Sequence, residues 1–173
     1  MKDVVIVSAC RTAVGSFGGG LKDLNAAVIG SAVIREIINR TGIDPAIIDD
    51  VRFGCCADPV DALNVARISA LLAGVPDTVT AATINRVCIS GMEAVISGMA
   101  MIQAGMAQII LAGGTEHMSS IPYSVPVARW GGRFQDQVLV DNIIHMLHAG
   151  SYLVPGVEKG PLQKGPFFDL YKG

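Results

Sequence analysis

"NRVCISGMEAV", Asn85 to Val95, sets a cysteine where one periodicity gives way to another. Before it, "TVTAATI" (residues 78–84) is a short run of strand length, rich in β-branched residues. After it, Ser90 to Ala104 carries apolar residues at helical spacing, interrupted by the small residues Gly91, Ala94, Ser97 and Gly98. The stretch therefore reads as strand, tight turn and helix, with Cys88 in the turn.

The same alternation extends in both directions. "VVIVSA" (Val4 to Ala9) is continuously apolar and predicts a first strand buried on both faces. "RTAVGSFGGGLKD" is loop. A helix is predicted over Leu24 to Arg40, with Ala27, Ile34, Ile37 and Ile38 spaced helically and Gly42 as the stop signal. "DDVRFGCC" (residues 49–56) reads as a second strand, and "DALNVARISALLAG" (residues 61–74) as a helix ended by Gly74 with Pro76 just beyond. "AQIILAGG" (residues 107–114) is a further strand. Strands alternating with helices predict an α/β fold, a mixed, mostly parallel sheet covered by helices. The composition agrees: 51% of the residues are hydrophobic but only 5% aromatic, so the core is aliphatic and small.

Near residue 115 the character changes. Tyr123, Trp130, Phe134, Tyr152, Phe167, Phe168 and Tyr171 all follow residue 120, and one helix is predicted, over Val138 to His148. Prolines and glycines crowd the last stretch. This reads as an excursion out of the α/β domain and predicts a boundary between residues 1–118 and an irregular segment, 119–173.

Several classes are disfavoured. The net charge is −2 and no basic stripe occurs, which argues against nucleic acid. No apolar run reaches transmembrane length, and the apolar part of "MKDVVIVSACRT" ends at Arg11, so neither a membrane span nor a signal peptide is expected. The four cysteines (Cys10, Cys55, Cys56 and Cys88) form no C-x-x-C pair. On a strand, adjacent Cys55 and Cys56 would point to opposite faces and chelate a metal poorly. Reduced thiols in a cytoplasmic protein are the expectation.

Cys88 is the chief candidate for chemistry. A thiolate at a helix start gains from free backbone N–H groups and from the positive end of the helix dipole. The same N–H groups suit the oxyanion of an acyl intermediate. The competing reading is a buried structural cysteine. "GSFGGGLK" matches neither G-x-G-x-x-G nor G-x-x-x-x-G-K-[ST], so a flexible turn is favoured over a phosphate cradle. His145 and His148 would share a helix face without a clear third ligand, which favours a packing or surface role over zinc. His117, at the end of the last sheet strand, is the candidate substrate-binding residue, because ligands bind at that end of a parallel sheet, with an ordinary loop histidine as the competing reading. Glu116 beside it would orient a backbone group or cap the loop.

Together these stretches carry a family resemblance. "SACRTAVGSFGG" resembles the thiolase signature A-R-T-P-x-G-x-F-x-G, "NRVCISGMEA" the nucleophile motif N-x-x-C-x-S-G-x-x-A, and "AGGTEHMSSIPY" the motif A-G-G-x-E-x-M-S-x-x-P-Y. The likeness runs in register over about the first 145 residues. Ala13 stands where the family has Pro, and Thr115 and His117 replace the usual Met and Ser around Glu116. The family's G-H-P, N-E-A-F, C-x-G-G-G and M-G-x-T-A-E-N motifs do not occur in this sequence.

The resemblance implies a thiolase-like layered fold, its N-terminal half with the start of a loop domain. It implies that Cys88 accepts an acyl group from acyl-CoA, an acyl-cysteine intermediate in forming or cleaving 3-ketoacyl-CoA. Coenzyme A would enter as part of the substrate, with no permanently bound cofactor. The chain would be the nucleophile-bearing subunit or a fragment of such an enzyme, with the catalytic histidine and second cysteine expected on a second chain, giving a hetero-oligomer whose assembly buries the Ser90–Ala104 helix on several sides. Two other readings stand beside this one: a related condensing enzyme such as a ketoacyl synthase, which the "AGGTEHMS" and "ARTAVGSF" stretches disfavour, and a non-catalytic CoA-binding or assembly protein.

Overall fold

A computed structural model describes residues 3–126 and 128–148. The chain divides into two units, Met1–Ser120 and Ile121–Gly173.

The first unit is built on helices α1 (Ala26–Thr41), α2 (Val65–Leu72) and α3 (Ser90–Gln103) and strands β1 (Asp50–Gly54), β2 (Thr80–Ile84) and β3 (Ile110–Gly114). The strands form a parallel sheet in the order β2-β1-β3. Helix α1 begins where the sequence supplies a cap: the Asn25 side chain accepts the N–H groups of Ala27 at 2.7 Å and Val28 at 3.2 Å. It ends at Gly42, whose φ of 63° lets its N–H turn back to the Ile38 carbonyl. Helix α2 is started in the same way by Asn64, which accepts the Arg67 N–H.

Alternation along β1 sorts the layers. Val51 and Phe53 are fully buried with Ile34 of α1 and Ala66 and Ala70 of α2. Arg52 and Gly54 point the other way: Arg52 reaches Met101, and Gly54 lies against Ser90, both on α3. Helices α1 and α2 thus cover one face of the sheet and α3 the other. Helix α3 is buried along one face only, by Ser90, Ala94 and Gly98, while Met92, Val95, Ile96 and Met99 are exposed among the described residues.

Three expectations need correction. Residues 4–9 form no strand. Val5, Ile6 and Val7 are exposed, Ile6 at 81%. A continuous apolar run becomes a buried strand only beside a ladder partner and between two covering layers. This run has neither among the described residues, and its end is tied to α1 instead, where Arg40 donates to the Ala9 carbonyl and the Cys10 thiol to the Val33 carbonyl. The second strand stops at Gly54, so Cys55 and Cys56 lie in the loop beyond it. The helix expected from Val138 starts at Asn142, because Val140–Asp141 is a strand and Asp141 accepts the Ile143 N–H.

In the second unit, β4 (Tyr123–Ser124) pairs antiparallel with β5 (Val140–Asp141), and α4 (Asn142–His148) follows directly. The Ser124 hydroxyl donates to the Asn142 side chain at 2.7 Å. No helix of the described residues is long and apolar enough to cross a membrane.

Candidate active site

The register brings the three strands to an end side by side: Gly54 lies opposite both Ile84 and Gly114. The loops that leave this carboxyl edge carry Cys55 and Cys56, then Cys88, then Glu116 and His117. The edge is where a parallel sheet presents its ligand site.

The Cys88 loop is held by short local bonds. Asn85 Oδ1 accepts the Val87 N–H at 2.9 Å. Ser90 Oγ accepts the Arg86 N–H at 2.9 Å and donates to the Val87 carbonyl at 2.6 Å. Within that frame Val87 takes a left-handed backbone with φ 54°. A β-branched residue adopts this conformation only at a cost of about 1–3 kcal/mol, so the surrounding bonds must impose it. Cys88 follows directly, two residues before α3. No side chain caps that helix start, and the first N–H groups of a helix have no acceptors within it. The Arg86 guanidinium pairs with Glu93 in the first turn at 2.6 Å.

The four cysteines differ sharply. Cys88 is exposed, Cys10 and Cys56 are partly covered, and Cys55 is buried. Exposure removes the reading of Cys88 as a buried structural cysteine. Burial first, and then the Glu116 carboxylate, push the Cys55 thiol from an ordinary 9.0 to about 12. Cys56 is raised by burial, by Glu116, and by the neighbouring Cys88 and Asp58. Cys55 and Cys56 are therefore poorly suited to act as thiolates at neutral pH.

Glu116 grips the Cys55–Ala57 loop. Its Oε2 accepts the Cys56 N–H at 2.8 Å, and its Oε1 accepts the Ala57 N–H at 3.1 Å. Orienting backbone groups was one of its two sequence readings. His117 is buried, its Nε2 2.9 Å from the Leu21 carbonyl oxygen, and its Nδ1 has no hydrogen-bond partner. The Gly-rich segment is a series of turns, Gly19 N–H to the Ser16 carbonyl and Lys22 N–H to the Gly19 carbonyl, pinned by Gly18 N–H to Ser119 Oγ. His117 and Ser119 thus tie that segment to the loop after β3.

Asn85 and Ser90 were not singled out by sequence reasoning. The signal was present in both cases: Asn and Ser beside a strand-to-helix junction bond readily to nearby backbone.

Comparison with known proteins bears on the family and the fold. The profile of the family described as "Thiolase, N-terminal domain" matches residues 4–154. An acetyl-CoA acetyltransferase of Syntrophomonas wolfei is 51% identical over 132 residues, which cover 76% of this chain and 33% of that protein. One from Cupriavidus necator is 45% identical over 144 residues, 83% of this chain and 37% of that protein. The crystal structure of the Bacillus anthracis acetyl-CoA acetyltransferase aligns with a TM-score of 0.73 at 42% identity, over 78% of this chain and 34% of that one. The chain spans roughly a third of the length of these relatives. With its parallel sheet and a family profile matched over most of its length, the chain belongs to the thiolase family.

Proposed function

We propose that Cys88 is the acyl-accepting nucleophile of an acetyl-CoA C-acyltransferase-type enzyme, with acyl-CoA thioesters as substrates. One observation carries the reading: Cys88 is the exposed thiol, set by a left-handed Val87 at the uncapped start of α3. The Cys88 thiolate attacks the thioester carbonyl, the tetrahedral oxyanion collapses, and the CoA thiolate leaves, with the acyl group on Sγ. The carbanion of a second acyl-CoA then attacks the acyl carbon, and the Cys88 thiolate departs with the new carbon–carbon bond made. Cleavage runs the same steps backwards. Backbone N–H groups at the start of α3 suit the oxyanion. Coenzyme A arrives and leaves as part of the substrate, and a cytoplasmic setting fits both the thiols and the substrates.

Proton transfer in the second step calls for groups that this sequence does not carry in the family's motifs, neither G-H-P nor C-x-G-G-G. We place them outside these 173 residues, on a second chain in a hetero-oligomer. His117 contributes indirectly, by holding the Gly-rich segment at Leu21 as one wall of the substrate site.

The test is acylation of the chain by acetyl-CoA, read by mass spectrometry of the Cys88 peptide, followed by acetoacetyl-CoA cleavage with and without a candidate partner. An acetyl adduct on Cys88 that free CoA removes is the expected result. An adduct confined to another cysteine, or none, overturns the nucleophile assignment. Full cleavage activity by the isolated chain overturns the two-chain reading.

A further inference from the structure

One unbroken run of hydrogen bonds crosses all three loops at the carboxyl edge of the sheet. Glu116 holds the N–H groups of Cys56 and Ala57 at 2.8 and 3.1 Å. The carbonyl of the same Cys56 accepts from Asn85 Nδ2 at 2.9 Å. That donation turns the other end of the Asn85 amide, Oδ1, onto the Val87 N–H at 2.9 Å. Val87 holds the left-handed backbone that immediately precedes Cys88. Each link fixes the next, from a carboxylate on the third loop to the thiol on the second.

We infer that Glu116 is a positioning residue for Cys88, acting through Cys56, Asn85 and Val87. The inference rests on the reading of Cys88 as the nucleophile. Glu116 is not itself catalytic here: each of its carboxylate oxygens already accepts a backbone N–H. A carboxylate that merely capped its own neighbourhood would have no need of the Asn85 link, and its loss would leave Cys88 alone. Strain at Val87 persists only while its surroundings impose it. Releasing the Cys56–Ala57 loop lets Val87 relax, and Cys88 then spreads over a wider range of orientations. Glu116 and Asn85 are both exposed, so their loss acts on reactivity more than on the core.

The experiment is iodoacetamide alkylation of the full chain at neutral pH, with each cysteine quantified separately by peptide mass spectrometry. The variants are Glu116→Gln, Asn85→Ala and the double substitution, with circular dichroism reporting the fold. Glu116→Gln turns an NH2 group toward a backbone N–H. It is expected to slow Cys88 alkylation about three- to tenfold, the effect of one modest hydrogen bond. Asn85→Ala does the same, and the double variant is no slower than the slower single one, because both cut one relay. Cys10, tied to Val33 and outside the relay, keeps its rate, whereas general loosening would raise it. Acylation of Cys88 in the unsubstituted chain separately tests the reading beneath. With that acylation normal, an unchanged or faster Cys88 in folded Glu116→Gln overturns the inference, as does a double variant slowed by the product of the two effects. Should Glu116→Gln fail to fold, an unchanged Cys88 rate in Asn85→Ala overturns it equally.

Discussion

Gly54, the last residue of β1, sits directly against the backbone of Ser90, the first residue of α3. A Cβ at Gly54 would lie 2.6 Å from the Ser90 carbonyl oxygen and closer still to the Ser90 carbonyl carbon and the Gly91 nitrogen. The obstacle is helix backbone, so no side-chain movement relieves it. Gly54→Ala is expected to cost about 1–3 kcal/mol by overpacking and to shift the start of α3, with Cys88 reactivity falling alongside. Urea denaturation and Cys88 alkylation measure the two effects. Wild-type stability in Gly54→Ala would contradict the close packing described.

Cys88→Ala is expected to remove acylation by acetyl-CoA while leaving the fold intact. The side chain is exposed, so the change in stability stays within about 0.5 kcal/mol. Cys88→Ser retains little acylation, because an alkoxide forms far less readily than a thiolate. An acetyl adduct formed at normal rate by Cys88→Ala would refute the assignment.

On the sheet side of α3, Gly98 faces Ile110 of β3, whose Cγ2 would be 3.0 Å from an added Cβ. Gly98→Leu is expected to overpack this contact by about 1–3 kcal/mol. Thermal denaturation measures it. A Gly98→Leu chain melting with the unsubstituted one would show that α3 does not pack on β3 through this face.

Alkaline stability follows from Cys55. Its folded value, about 12, lies above the ordinary 9.0, so folding favours the neutral thiol. Below pH 9 both states are protonated and the contribution is fully present. As the pH rises the unfolded thiol ionises first, and stability is lost progressively toward pH 12. Replacing Cys55 by Ala should flatten the fall in denaturation midpoint between pH 9 and the highest accessible pH. Parallel curves for the two chains would show that Cys55 is not the group responsible.

The sequence was legible where short-range signals agreed with the long-range packing. Gly42 ends α1 as expected, although the helix starts at Ala26 behind an Asn25 cap and not at Leu24, and the strand, turn and helix around Cys88 appear in place. It misled where an element depends on a partner that local pattern cannot supply. Residues 4–9 have strand composition and no ladder, and Val138 and Leu139 continue a helical spacing that Asp141 instead cuts off as a cap. At the candidate site, the place of Cys88 just ahead of a helix start was readable. The Asn85 and Glu116 bonds were not, because they join loops 29 and 60 residues apart in sequence to Cys56, a closeness that only the sheet register creates.

The backbone at Val87 also bears on what directed evolution of this chain would find. A library selected for heat resistance would enrich glycine or asparagine at position 87, residues that accept φ near 54° without penalty. Those winners would melt later and keep the same turn, because the Asn85 and Ser90 bonds that impose this backbone remain while the β-branched penalty is gone. Thermostability and presentation of the thiol are thus separable at position 87. A screen scored on melting temperature alone would replace the strained side chain and leave the turn that sets Cys88 untouched.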